Sequence, residues 1–205
     1  MKALKISLAL LIPLIILLFS FRVYVFDDDY YNNQFVNYDV ISNFGKVDLA
    51  LDNLFDFFQE GTELDDTIFS EREILHLQDV KSLILNILLI LNLLFIIAFI
   101  MLGYMMYKKD YSAISFSFIL GGSIALAITL AIIIISSLSF ENMFVSFHQM
   151  AFSNDFWLLP TDSSLIKMFN PMFFFNITRK ILLNSVFLSL FVVGIGIGAK
   201  YMKVE

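Results

Sequence analysis

Four long apolar runs dictate what this chain can become. Residues 4–21, 83–107, 114–138 and 181–199 are each bounded by charged or polar clusters. Each supplies about 20 mostly apolar positions, the length a helix needs to cross the hydrocarbon core of a bilayer. The chain is 59% hydrophobic and only 16% charged, with a mean hydropathy of +0.82. A chain of 205 residues cannot hide that much apolar surface inside one water-facing domain, so the surplus must face lipid. The expected fold is an all-α membrane protein with four transmembrane helices, a single integral membrane domain over residues 1–205.

The first run follows Lys2 and Lys5, as a signal peptide would, but it ends in Phe21-Arg22-Val23-Tyr24 with no small-residue cleavage site. An uncleaved anchor is expected. Basic residues near the helix ends set orientation. Lys2 and Lys5 precede the first run, Lys108 and Lys109 sit between the second and third, and Lys200 and Lys203 follow the fourth. With four spans all six fall on one side, which predicts both termini in the cytoplasm. Residues 24–82 and 139–180 then form two extracytoplasmic segments of a multi-pass plasma-membrane protein. Arg179 and Lys180 fall on the outer side, as headgroup anchors or substrate contacts.

Residues 44–61 show helical spacing. Phe44, Val47, Leu51, Leu54 and Phe58 form an apolar stripe, with Lys46, Asp48, Asp52, Asp56 and Gln59 off it. Ser42 or Asn43 is placed to cap this amphipathic helix and Gly61 to end it. Ser70 and Glu73 make a capping-box pattern, opening a helix that continues unbroken into the second span. Residues 139–180 are rich in aromatics and interrupted by Ser153-Asn154-Asp155, Pro160 and Pro171. This predicts a re-entrant or surface-lying hairpin, with a short helix through Leu165, Ile166 and Phe169 capped by Thr161 or Asp162.

The net charge of −6 argues against nucleic acid as a partner, and the absence of cysteine removes disulfides, thiolate zinc sites and a cysteine nucleophile. Ser146 and Ser153 lack the G-x-S-x-G context of a serine elbow. Gly194-Ile195-Gly196-Ile197-Gly198 lies inside the fourth run, where close helix packing explains it better than a nucleotide loop; Gly121-Gly122 reads the same way. Asn86, Asn92 and Asn184 fall within apolar runs and are expected to bond between helices.

The two histidines carry the chemistry the residues permit. His76 and His148 both fall in the outer segments, near the membrane surface. An ordinary imidazole pKa of about 6.5 lets each take and return a proton near neutrality. Asp79 or Glu73 stands at helical spacing to orient His76, with Arg72 on the same face, and Asp155 follows His148. Three readings compete: an acid–base pair, two ligands of a metal-dependent membrane-surface hydrolase or peptidase, and structural histidines of a non-enzymatic assembly or binding protein.

Glu73-Ile74-Leu75-His76-Leu77-Gln78-Asp79-Val80-Lys81 before the second span, and Phe147-His148-Gln149-Met150-Ala151-Phe152-Ser153-Asn154-Asp155-Phe156-Trp157-Leu158-Leu159-Pro160, resemble the two signatures of the lipoprotein intramolecular transacylase family of Gram-positive bacteria. Leu165-Ile166-Lys167-Met168-Phe169 continues the second, and the resemblance covers essentially the whole chain. One departure is Asn170, which stands before Pro171 where the family pattern has proline directly after Met-Phe. The resemblance implies a diacylglyceryl-modified lipoprotein as substrate, with membrane lipid around it. The sn-2 acyl chain would move to the α-amine of the N-terminal cysteine, leaving the lyso form. It implies His76 and His148 as catalytic residues, with Asp79, Asp155, Asn154, Arg72 and Trp157 in support, and no cofactor or metal.

Overall fold

The computed structural model describes residues 1–37, 40, 45 and 47–202. The proposed caps Ser42 and Asn43, and also Phe44, Lys46 and Lys203, lie outside the described residues. The chain forms helices α1 (Lys2–Tyr24), α2 (Asp28–Asn37), α3 (Val47–Gln59), α4 (Glu71–Tyr107), α5 (Tyr111–Leu138), α6 (Phe140–Ala151), α7 (Ser164–Met168) and α8 (Pro171–Lys200). Four of them, α1, α4, α5 and α8, are long and apolar enough to cross a membrane. The expected all-α membrane fold is therefore what the chain adopts.

Two differences from the sequence reading have local causes. Ser163, rather than Thr161 or Asp162, caps α7, its side chain accepting from the Ile166 N–H. The last long helix begins at Pro171, ten residues before the apolar run at 181. Proline suits the first turn of a helix, where its missing N–H has no intrahelical partner to lose. Asn170 caps that turn, its side-chain oxygen accepting the Phe173 N–H at 2.9 Å.

The chain divides into two compact units. The first comprises residues 1–23, 87–138 and 178–205. Its core is built by Leu8, Ile12 and Ile16 of α1, Met101 and Met105 of α4, Ala113, Ile114 and Ala125 of α5, and Ala199 of α8. Glycine permits the closest approaches. A Cβ on Gly121 would stand 2.7 Å from the Ala9 carbonyl oxygen of α1. That oxygen is the one Pro13, four residues on, cannot bond for lack of an N–H, so α5 packs where the α1 ladder is already open. Gly122 and Gly196 likewise meet α8 and α5 at 2.7 and 2.8 Å, whereas Gly194 and Gly198 have nothing within 4 Å. Close packing thus explains Gly196 but not its two neighbours. Asn184 donates to Ser20 at 3.2 Å and Arg22 to Asn92 at 3.4 Å, the inter-helix bonds expected of two of the three apolar-run asparagines.

The turn between α4 and α5 is a Schellman arrangement. The Asp110 N–H reaches the Met105 carbonyl and the Lys109 N–H that of Met106, both at 2.9 Å. Lys109 occupies the left-handed position with φ 52°, where glycine is usual and another residue costs about 1–2 kcal/mol.

The second unit comprises residues 24–86 and 139–177. The α3 stripe is buried as Val47, Ala50, Leu51, Leu54 and Phe57, with Phe58 half-buried and Asp48, Asp52 and Asp56 exposed. Gly61 ends the run at φ 82°, its N–H on the Asp56 carbonyl. Aromatic rings interlock α2, α3 and the start of α8: Tyr31 lies 5.1 Å from both Phe55 and Phe173, and Phe173 lies 5.0 Å from Phe169. The α4 helix, at 37 residues, is about 55 Å long, well beyond what a bilayer core requires. Its first turns bear Arg72, Glu73, Asp79 and Lys81, and they carry His76.

Candidate functional site

The capping box at the start of α4 forms as the sequence predicts. One oxygen of Glu73 accepts the Ser70 N–H at 2.8 Å and the Ser70 hydroxyl at 2.7 Å. Its other oxygen accepts the Leu165 N–H at 2.8 Å, and the carboxylate is only 2% exposed. Both oxygens are thus spent on backbone and cap, so Glu73 anchors α7 to α4 instead of orienting His76. This clamp is a role the sequence reading missed.

His76 and His148 come together. Their ring centroids lie 6.1 Å apart at 35°. An imidazole that bonds a reacting atom holds that atom about 4 Å from its own centroid, so two rings at this separation can share one. Phe152 packs edge-on against His76 at 5.3 Å. Around His148 stand Phe144 at 4.2 Å, Trp157 at 5.1 Å and Phe147 at 5.4 Å. The aromatic richness of residues 139–180 is therefore partly a wall around an imidazole.

The two rings differ in their hydrogen bonding. His148 Nδ1 lies 2.8 Å from the Phe144 carbonyl oxygen. A carbonyl only accepts, so Nδ1 carries the hydrogen and the lone pair of the neutral ring sits on Nε2. His76 Nδ1 is buried and has no partner, an unsatisfied group that a native site keeps only for a reason. Burial, then the neighbouring His148, push the His76 pKa down to about 4, against an upward pull from Asp79. Burial also lowers the His148 pKa, opposed by the Phe144 hydrogen bond. Both imidazoles are thereby held neutral at pH 7 in a largely apolar setting.

The supporting residues converge unequally. Asn154 donates to an Asp79 oxygen at 2.9 Å and accepts the Phe156 N–H at 3.0 Å, so it fixes the chain after α6 against α4. Arg72 donates to the Asp155 backbone carbonyl, while the Asp155 side chain is exposed. Ser146 and Ser153 are exposed. Among the described residues no three His, Asp or Glu side chains are grouped as a metal would require.

The sequence profile of the family described as lipoprotein intramolecular transacylase Lit matches residues 6–174, well over half of the chain. The chain belongs to this family. It is accordingly a membrane acyltransferase, a lipoprotein intramolecular transacylase. No curated protein matches the Lit-family chain significantly. Among solved structures, the in meso structure of the membrane integral lipoprotein intramolecular transacylase Lit from Bacillus cereus is similar, with a TM-score of 0.86 at 20% identity over 98% of this chain and 98% of that one. A variant of that protein with a histidine replaced by arginine gives 0.79 at 19% identity, over 97% and 91% of the two chains. One with a histidine replaced by alanine gives 0.80 at 20%, over 98% and 96%. At such identities the likeness speaks for the Lit fold, and the residue roles must be argued from the site itself.

Proposed function

We propose that His76 and His148 catalyse an intramolecular O-to-N acyl transfer, moving the sn-2 acyl chain of a diacylglyceryl lipoprotein to its N-terminal α-amine. The observation that carries this reading is the pair itself: two neutral imidazoles, one with an unpartnered buried nitrogen, 6.1 Å apart in an aromatic wall. The amine nitrogen attacks the ester carbonyl carbon, forming the C–N bond and a tetrahedral oxyanion. Collapse breaks the bond to the sn-2 oxygen, and the proton lost by nitrogen ends on that oxygen. No water is consumed and no acyl-enzyme is needed. Donor and acceptor share one molecule, so much of the entropic cost of encounter is already met.

The two histidines divide the work. His148, its Nδ1–H fixed on Phe144, presents the Nε2 lone pair and takes the amine proton, then returns it to the leaving alkoxide. His76, held down at about 4, stays neutral and donates a ring N–H to the oxyanion. Asp79, kept in place by Asn154, steadies the positive charge that passes through the pair. Arg72 and Trp157 shape the same site, the first through the Asp155 carbonyl and the second against His148. The distribution of the six lysines supports a site on the extracytoplasmic face of the plasma membrane, with both termini inside.

The test is mass spectrometry of a reporter lipopeptide from a bacterium that does not N-acylate its lipoproteins. The wild type is expected to shift one acyl chain to the N-terminus at unchanged total mass, and matched His76→Ala and His148→Ala variants are expected not to. A reporter left in its diacyl form by well-expressed wild type would end this reading.

A further inference from the structure

We infer that the end of the first unit bearing the Lys108–Lys109 turn holds an anionic phospholipid by its phosphate. An open cavity of about 490 Å³ lies there, between the start of α5 and the end of α8. It shares no residue with the histidine cluster. Lys109 and Lys200 bring two cations to it, and Lys5 stands 4.3 Å over the ring of Phe116, which forms part of the wall. Asp110 is the opposing charge, and its Oδ1 is taken by the Ala113 N–H at 2.9 Å. Among the described residues that line the cavity, the charge balance is positive.

The decisive group is Ser115. It lines the cavity and is 5% exposed, yet its hydroxyl makes no hydrogen bond among the described residues. Every other buried serine of the spans bonds a backbone carbonyl or a neighbouring side chain, as Ser117 does at Ala113 and Ser185 at Ile181. The Ser115 hydroxyl opens into the cavity, where it can donate to an acceptor oxygen, and lysine ammonium groups select an anionic one. Below the lysines the lining turns apolar at Phe116 and Ile119, and Phe116 and Leu120 are exposed along α5. A phosphate above acyl chains matches this order of cations over apolar surface; free phosphate matches only its upper half.

The test uses the full-length protein, delipidated in detergent and examined by native mass spectrometry. Phosphatidylglycerol, phosphatidylcholine and inorganic phosphate are each added. Wild type is expected to retain phosphatidylglycerol in preference to phosphatidylcholine, with a loss of about fivefold for each lysine removed in Lys109→Gly and Lys200→Gln. Ser115→Ala should lower retention while leaving every charge in place. Glycine suits the left-handed position at 109, so a Lys109→Gly protein that melts no lower than wild type rules out misfolding as the cause. Equal retention of the two lipids, or unchanged retention in the variants, overturns the assignment. Displacement of phosphatidylglycerol by millimolar phosphate assigns the cavity to the free ion and overturns the lipid.

Discussion

Asn154 donates its side-chain amide to Asp79 at 2.9 Å, joining two positions 75 residues apart in the chain. This bond fixes the segment after His148 to the helix that carries His76. Asn154→Ala should lower kcat about tenfold, the scale of a small misplacement of reacting groups, with KM and expression nearly unchanged. A fall in expression that accounts for the lost activity would make Asn154 a folding residue instead.

The division of labour between the histidines predicts unequal tolerance. A glutamine amide can donate but cannot act as a base near neutrality. His76→Gln should therefore retain activity well above His76→Ala, while His148→Gln should be as inactive as His148→Ala. Steady-state rates on a synthetic diacyl lipopeptide decide this, and the reverse order would exchange the two roles.

The depressed imidazoles have a pH signature. His76 titrates at about 4 in the folded protein and 6.5 in the unfolded chain. Its contribution to stability is present above pH 6.5 and is lost as pH falls toward 4. Thermal melting should worsen across that window, less so in His76→Gln. Removing the second imidazole, as in His148→Gln, should raise the His76 pKa toward 6.5, whereas Asp79→Asn should lower it further. Histidine proton resonances followed against pH read both shifts.

Glu73 accepts three hydrogen bonds while 2% exposed. A glutamine there presents NH2 to donors on one side. Glu73→Gln should cost about 1.5–3 kcal/mol, read as a lower melting temperature. A variant as stable as wild type would show that the clamp between α4 and α7 contributes little.

The glycines of the spans divide into two classes. Gly121→Ala drives a methyl against the Ala9 carbonyl and Ile12 and should cost about 1–3 kcal/mol. Gly194→Ala has nothing within 4 Å and should be neutral or stabilising, by up to about 1 kcal/mol of helix propensity. Melting curves of the two variants side by side check the contrast.

Sequence patterns that act within a turn or two were legible. The spans follow from apolar run length, the Ser70–Glu73 box from local spacing, and the Asn154 break after α6 from its turn-forming residues. Motif resemblance paired His76 with His148; no periodicity did so. What escaped required knowing which distant backbone a side chain meets. Nothing local to Glu73 says that Leu165 will claim its second oxygen, and nothing distinguishes Gly196 from Gly194 until Ile119 and Phe118 arrive beside it. Thr161, Asp162 and Ser163 are all residue types that cap helices, and only the fold selects Ser163 among them.

The chain holds one tryptophan, and that indole lies 5.1 Å from the His148 ring. All indole emission from the protein thus originates beside a single imidazole, whose protonated form quenches it and whose displacement by an arriving acyl chain would shift its colour. The protein carries its own optical probe, able to follow occupancy and proton transfer in real time without a label.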